Sequence, residues 1–169
     1  MGLDTRIDVN VGATLQSSLD LSATARVALT LAKSLVLTDG TGASQADQIW
    51  FDQRSIPTSD TDDLNLSDGS LINGLGQGVQ FARVKGMFIF GSPANEDIIT
   101  IGAGSNPFRS WLLAGGDGVI LRPGGAVVLT APDATAYTVT PSTGDILRLA
   151  NPNAPTSVDY EIILIGTTA

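Results

Sequence analysis

The sequence predicts an all-β protein, a jelly-roll-like antiparallel β-sandwich with an extended N-terminal arm. Three observations carry that expectation. From Ile7 to Leu37 apolar and polar residues alternate with a period of two, which is the strand signal. Beyond it, short apolar runs recur between turn clusters rich in Gly, Pro, Asp and Asn, the pattern of sandwiches and barrels. Only Pro107–Ala114 could form even a short helix.

The elements follow in order. Ile7, Val9, Val11, Ala13 and Leu15, then Val27, Leu29, Leu31, Leu35 and Leu37, occupy odd positions, with Asp8, Asn10, Thr14, Gln16 and Thr30 between them. One strand over this span would reach about 100 Å at ~3.3 Å per residue. A break is therefore expected near Ser17-Ser18 or Ser22–Thr24. Residues 1–25 are read as an extended arm reaching a neighbour, or as a first strand, with two ordinary strands as the alternative. Residues 26–169 are read as a single sandwich domain.

Asp39-Gly-Thr-Gly is a turn. Gln48–Ile56 is a strand with Trp50 facing inward. Pro57–Gly78 is polar and Gly-rich, with a short strand at Asp63–Leu66. In Val79–Phe90 the period slips between Phe81 and Val84, which suits a bulge. Its end, Met87-Phe-Ile-Phe, is apolar on both faces and expected to be central. Further strands are expected at Asp97–Ile101, Val119–Arg122, Ala126–Thr130, Ala136–Thr140, Asp145–Leu149 and Ser157–Ile165. Val158, Tyr160, Ile162 and Leu164 share one face of the last. A jelly roll is preferred to an immunoglobulin-like sandwich, partly because the Cys–Trp–Cys hallmark is absent.

Composition narrows the chemistry. The 169 residues include no histidine and no cysteine, and the only lysines are Lys33 and Lys85. A Ser-His-Asp or Cys-His nucleophile is impossible, no disulfide can form, and a zinc site would need carboxylates alone. Nine basic against 17 acidic residues give a net charge of −8. The arginines stand singly, at Arg6, Arg26, Arg54, Arg83, Arg109, Arg122 and Arg148, so neither nucleic acid nor an anionic membrane is expected as a partner. The start, Met1-Gly-Leu-Asp-Thr-Arg-Ile-Asp, has no apolar signal core. The longest apolar run, Val27–Leu37, is interrupted by Thr30, Lys33 and Ser34 and is too short to span a bilayer.

Four constellations invite a functional reading, each beside a plainer one. Asp60, Asp62, Asp63, Asn65 and Asp68 are oxygen ligands of the kind calcium takes, but Leu64 and Asn65 break the EF-hand pattern, and a solvated loop is preferred. Asn73-Gly-Leu-Gly-Gln-Gly lacks the Gly-Lys-Ser/Thr of a phosphate loop and reads as a turn. Glu96 and Glu161, the only glutamates, lie in no glycosidase motif. Trp50 and Trp111 could stack on sugars but are read as core or subunit-contact residues. Arg122-Pro-Gly-Gly and Pro132-Asp read as tight corners, with Asp133 capping its own turn. No residue is assigned to a catalytic, cofactor or metal site, and the protein is read as a non-enzyme without a cofactor.

Several blocks together resemble a family of small β-proteins encoded near the major capsid gene in tailed bacteriophages. They include Gly42-Ala-Ser-Gln-Ala-Asp-Gln-Ile-Trp-Phe-Asp-Gln-Arg, Asp63-Leu-Asn-Leu, Arg83-Val-Lys-Gly-Met-Phe-Ile and Asn106-Pro-Phe. Val119-Ile-Leu-Arg-Pro-Gly-Gly, Ala131-Pro-Asp-Ala-Thr-Ala-Tyr, Thr143-Gly-Asp-Ile-Leu and Ser157-Val-Asp-Tyr-Glu-Ile-Ile-Leu-Ile-Gly complete the set, spanning about residues 40 to 166. The resemblance implies a virion structural protein, a head decoration or cement protein on the outside of the shell. Its implied partners are the major capsid protein and itself, as a homotrimer. The alternatives are a tail or receptor-binding module that recognises a host glycan and a non-phage extracellular adhesion or surface-layer domain. On the first reading, removal of Met1–Asp20 is expected to weaken shell binding and leave the β-domain folded.

Overall fold

A computed structural model describes residues 2–18, 24–102, 104–114, 116–152 and 156–169. Among them the chain forms fourteen strands and no helix. The strands are β1 (Thr5–Ser18), β2 (Thr24–Asp39), β3 (Gln45–Ala46), β4 (Gln48–Ile56), β5 (Thr61–Asn65), β6 (Leu71–Ile72) and β7 (Gly78–Val79). They continue with β8 (Arg83–Gly91), β9 (Ile99–Gly102), β10 (Gly118–Leu121), β11 (Ala126–Thr130), β12 (Tyr137–Thr138), β13 (Ile146–Ala150) and β14 (Val158–Thr167).

Two sheets make the body. The first runs β11-β8-β14-β4, with β12 also paired to β8, and the second runs β10-β9-β13-β5. The connectivity is that of a chain folded double and then rolled. In the doubled chain β4 pairs with β14, β5 with β13, β8 with β11, and β9 with β10, all antiparallel. Rolling then adds β14 to β8 and β13 to β9. The result is a jelly-roll sandwich, as the punctuated sequence predicts.

Alternating side chains fill the space between the sheets. Trp50 and Ile56 from β4, Met87 and Ile89 from β8, and Val158, Tyr160, Ile162 and Leu164 from β14 meet Leu64, Ile99, Ile101, Leu121, Leu147 and Leu149 from the second sheet. Trp50 faces inward and β8 and β14 lie in the sheet interior, as expected from their apolar runs.

Two expectations are corrected. The run from Val79 to Phe90 is split: β7 and β8 are separated by Gln80–Ala82, where the Phe81 amide donates to the Leu66 carbonyl at 2.7 Å. The irregularity lies at Lys85, with Ile165 opposite Gly86 and Gly166 opposite Val84. Pro107–Ala114 is not helical. The Phe108 amide donates to the Ile146 carbonyl at 2.8 Å and Phe108 is buried, so the segment is held to β13. A single turn, Leu112 amide to Arg109 carbonyl at 2.7 Å, is all that follows, and one turn does not repay helix nucleation.

β1 and β2 stand apart from the body. They pair in continuous antiparallel register from Thr5 opposite Leu37 to Ser18 opposite Thr24. Of the two expected break positions, Ser17-Ser18 lies within β1, and Ser22–Thr24 lies outside the described residues except for Thr24, which begins β2. The hairpin is joined to the body at its root, where β2 meets β3 in parallel at Thr38 opposite Gln45.

Candidate docking surface

Directly opposed residues of an antiparallel pair point to the same face. Ile7 opposite Leu35, Val11 opposite Leu31, Ala13 opposite Leu29 and Leu15 opposite Val27 therefore build one apolar face of the hairpin. Asp8 opposite Ser34, Asn10 opposite Ala32 and Gln16 opposite Arg26 build the other. The sequence alternation from Ile7 to Leu37 is thus the two-faced character of one ribbon.

The apolar face is covered only at the root. Ile7 and Leu37 are buried against Ala46 and Ile165, with Leu35, Ile49, Phe88 and Ile163 packed beside them. Beyond Ile7 the cover ends: Leu15 is 73% exposed, Val27 66% and Leu29 60%, with Val9, Val11 and Leu31 also open. Lys33, opposite Val9, is the one charged residue that the register places on this face between Thr5 and Leu37.

The root itself is anchored by polar contacts. The Leu3 amide donates to Asp39 Oδ1 at 2.9 Å, and the Thr38 amide to the Ser44 carbonyl at 3.0 Å. Lys85 is fully buried, and its Nζ donates to the carbonyls of Gly42 at 2.8 Å and Asp133 at 2.6 Å. A bulge re-aims the side chain at the extra residue, and here it sends Lys85 to the two loops that flank the root. Burial lowers the Lys85 pKa from the ordinary lysine value, with the Asp133 carboxylate working against that shift.

The second part of the surface is the outer face of the first sheet. Phe51, Ile163, Phe88 and Val128 lie side by side in one row across β4, β14, β8 and β11. The next row is Gln53, Glu161, Phe90 and Ala126. Phe51 is 59% exposed, and Phe90 and Val128 are also open. A depression of about 390 Å³ runs between Phe51, Phe90, Glu161 and Ile163. A larger groove of about 690 Å³ adjoins it at Phe51, between Leu3, Ile49 and Leu75. The hairpin, which adds β2 to the residues 1–25 read as an arm and is called the arm from here on, has its root on this same sheet face, so the two apolar surfaces form one continuous region.

The residues singled out for chemistry are dispersed. Asp62 accepts from Arg54 Nε at 2.5 Å, from Arg54 Nη2 at 2.9 Å and from the Tyr160 hydroxyl at 2.8 Å. That pair raises the Arg54 pKa, while burial and then the Asp62 charge push the Tyr160 phenol up. Asp63 pairs with Arg148 at 2.5 Å on the opposite side of β5. Asp60 and Asp68 cap the amides of Thr61 and Ser70, and Asn65 accepts from the Ser67 amide. Asp60, Asn65 and Asp68 hold their own turns, Asp63 pairs with neighbouring β13, and Asp62 ties β5 to β4 and β14 of the first sheet. Among the described residues no three carboxylates converge as a metal site.

Asn73 of the Gly-rich stretch accepts from the amides of Leu75 and Gln77 and closes a turn beside the larger groove. Trp50 is core, and half-buried Trp111 donates its indole N–H to the Phe108 carbonyl at 3.0 Å. Glu161 lies on the outer sheet face, whereas Glu96 lies in the loop between β8 and β9. Asp133 Oδ1 accepts from the amides of Thr135 and Ala136, the expected turn cap. Sequence reasoning did not single out Phe51, Phe90 and Val128. Their signal is period two itself: each is the apolar residue out of phase with an inward neighbour, Trp50, Ile89 or Val127.

No family model, no curated protein and no solved structure matches this chain.

Proposed function

We propose that this protein is a structural protein of a tailed-phage virion, a head decoration or cement protein. It binds the outside of the shell, partners the major capsid protein and itself as a trimer, and strengthens capsomer joints. The observation that carries this reading is the uncovered apolar face of the β1–β2 hairpin, on a body whose acidic run Asp60, Asp62, Asp63 and Asp68 is engaged in its own turns and ion pairs. An isolated two-stranded ribbon is marginal in water, and contiguous exposed apolar surface marks an interaction site. A ribbon of this kind is built for a partner.

Charge supports the same placement. A net charge of −8 disfavours contact with packaged DNA. Mechanical function then follows from linkage: a protein that binds only the assembled lattice stabilises that lattice by its binding free energy. Many copies, each engaging more than one neighbour, make that contribution large through effective concentration.

Quantitative mass spectrometry of purified virions, scaled to the major capsid protein, tests the proposal. Near one copy per capsid subunit supports a lattice-wide decoration role. A handful of copies moves the protein to the tail or a single vertex, and complete absence overturns the virion reading.

One observation favours a second reading, a glycan-recognition module of the tail. Exposed Phe51 and Phe90 flank a depression that also carries Gln53 and Glu161, an aromatic and polar combination that suits a sugar ring. Isothermal titration with host-surface oligosaccharides separates the two. Saturable binding lost in Phe51→Ala supports the glycan reading, and no heat up to millimolar sugar removes it.

A further inference from the structure

We propose that the apolar face of the arm seats on the outer sheet face of a second copy of this chain, with Lys33 of the arm beside Glu161 of the receiving sheet. The inference deepens the self-association in the function proposed above, and it is tested without any shell.

Three observations select this occupant. The first is that the pairing already exists within one chain: at the root the arm lays Ile7, Leu35 and Leu37 on Ile165, Ile49, Phe88 and Ile163 of its own outer sheet face. The rest of the arm face has the same chemistry and lacks a sheet beneath it. The rest of the outer face, at Phe51, Phe90 and Val128, lacks a cover. Each surface is the continuation of one half of an interface the molecule already makes.

The second observation is charge. The arm face carries a single cation, Lys33, between Thr5 and Leu37, and the described ion pairs leave it without a carboxylate. In the sheet's second row Glu161 sits beside Phe90 and Gln53, also outside those ion pairs. Opposite charges placed singly in two apolar faces fix a register as well as adding attraction.

The third is area. The open part of the arm, Val9–Ser17 against Ala25–Lys33, has a footprint of about 300 Å² at the usual strand rise and spacing. One seated arm thus removes roughly 600 Å² in total, below the ~1,200 Å² of a standard stable interface. A mutually exchanged pair puts two seated arms in one interface and reaches that range, whereas in a ring each copy gains the same area from two separate contacts. The contact is heterologous, arm to sheet, so the assembly must close into a ring or a mutually exchanged pair to use every arm.

The test uses the purified full-length chain in the absence of capsid. Sedimentation velocity at micromolar concentration is expected to give a closed oligomer, at a whole multiple of the 17.4 kDa chain mass. Leu29→Glu on the arm and Phe51→Glu on the sheet each shift it to monomer with an unchanged far-UV spectrum. Lys33→Glu and Glu161→Lys each raise the dissociation constant at least tenfold, and the double charge reversal restores it. Because the chain has no cysteine, mixing Lys33→Cys with Glu161→Cys gives a cross-linked heterodimer, whereas Asp8→Cys, on the polar face, gives none with Glu161→Cys. A monomeric wild-type chain overturns the inference. So does an oligomer indifferent to Leu29→Glu and Phe51→Glu, or two charge reversals that do not compensate. If the free chain is monomeric and Leu29→Glu abolishes shell binding, the arm face belongs to the shell, and the inference fails while the decoration reading stands.

Discussion

Two buried polar side chains set the molecule's local energetics in different ways. Lys85 brings an ammonium group into the interior and settles it on the carbonyls of Gly42 and Asp133. The desolvation that lowers its pKa offsets part of what the two hydrogen bonds contribute. Lys85→Met relieves that cost but strands two carbonyls, each worth roughly 1–3 kcal/mol when left unsatisfied. A net loss of about 1–3 kcal/mol is expected in urea denaturation, with faster proteolysis at the loops around Gly42 and Asp133. Unchanged stability would mean that Lys85 fills space and does not clamp the root. Tyr160 makes a cleaner pH test. Its phenol is buried and donates to Asp62, so its folded pKa lies above the unfolded value of about 10. The folded state therefore holds its proton where the unfolded state loses it. That stabilisation is complete below about pH 10 and is lost as pH rises beyond it, by at most ~1.4 kcal/mol per pH unit. Tyr160→Phe is expected to cost about 1 kcal/mol at neutral pH. The gap between wild type and variant should then close above pH 10, where Lys85 cancels from the difference. A gap that stays constant to pH 11.5 would contradict the assigned proton.

At the scale of elements, the bulge between β8 and β14 is the feature on which both root and core depend. A Cβ on Gly166 would overlap the Arg83 carbonyl oxygen and come within 2.7 Å of Phe81 Cδ1. Backbone cannot yield there without breaking the pairing of Gly166 with Val84. Gly166→Ala is expected to cost at least about 2 kcal/mol as overpacking, read by thermal denaturation. A variant as stable as wild type would mean that the bulge can slide. This bulge also illustrates what the sequence carries and what it hides. A slipped period is visible near Phe81–Val84, but its position at Lys85 is fixed by the partner strand, and pairing leaves no local trace. Inward Trp50, interior Met87–Phe90 and the face shared by Val158, Tyr160, Ile162 and Leu164 are legible because alternation reports burial directly. The two-residue strands β3 and β6 are not legible, since two residues cannot display a period, whereas β12 falls within the longer strand expected at Ala136–Thr140 and Val79 of β7 within the run expected at Val79–Phe90. The arm is the instructive case. Alternation from Ile7 to Leu37 announces one apolar face, yet the same pattern would describe a strand packed on the core. Only the register shows that the two halves pair with each other and leave that face open.

The whole molecule combines a closed body with an open limb, and the two should differ in stability by a measurable amount. Strands β8, β13 and β14 bury side chains between two sheets, so their amides open only with global unfolding. The arm beyond Ile7 has neither a third strand nor a covered face. Its ladder bonds from Val9–Lys33 outward are held by cross-strand pairs worth roughly 0.2–1 kcal/mol each, against a backbone ordering cost of about 1–2 kcal/mol per residue. On these magnitudes such a ribbon is expected to persist only where a partner covers it. Hydrogen exchange read by mass spectrometry is expected to report this directly. In the Leu29→Glu variant, peptides from 9–17 and 25–33 should exchange within seconds while those from β8 and β14 stay protected. In the assembled wild-type protein, the same arm peptides should slow by at least a hundredfold, and dilution should return them to fast exchange, since association stabilises by mass action. Slow exchange of the arm in a monomer would instead make the hairpin self-sufficient. The apolar face would then have to be explained by something other than a missing partner.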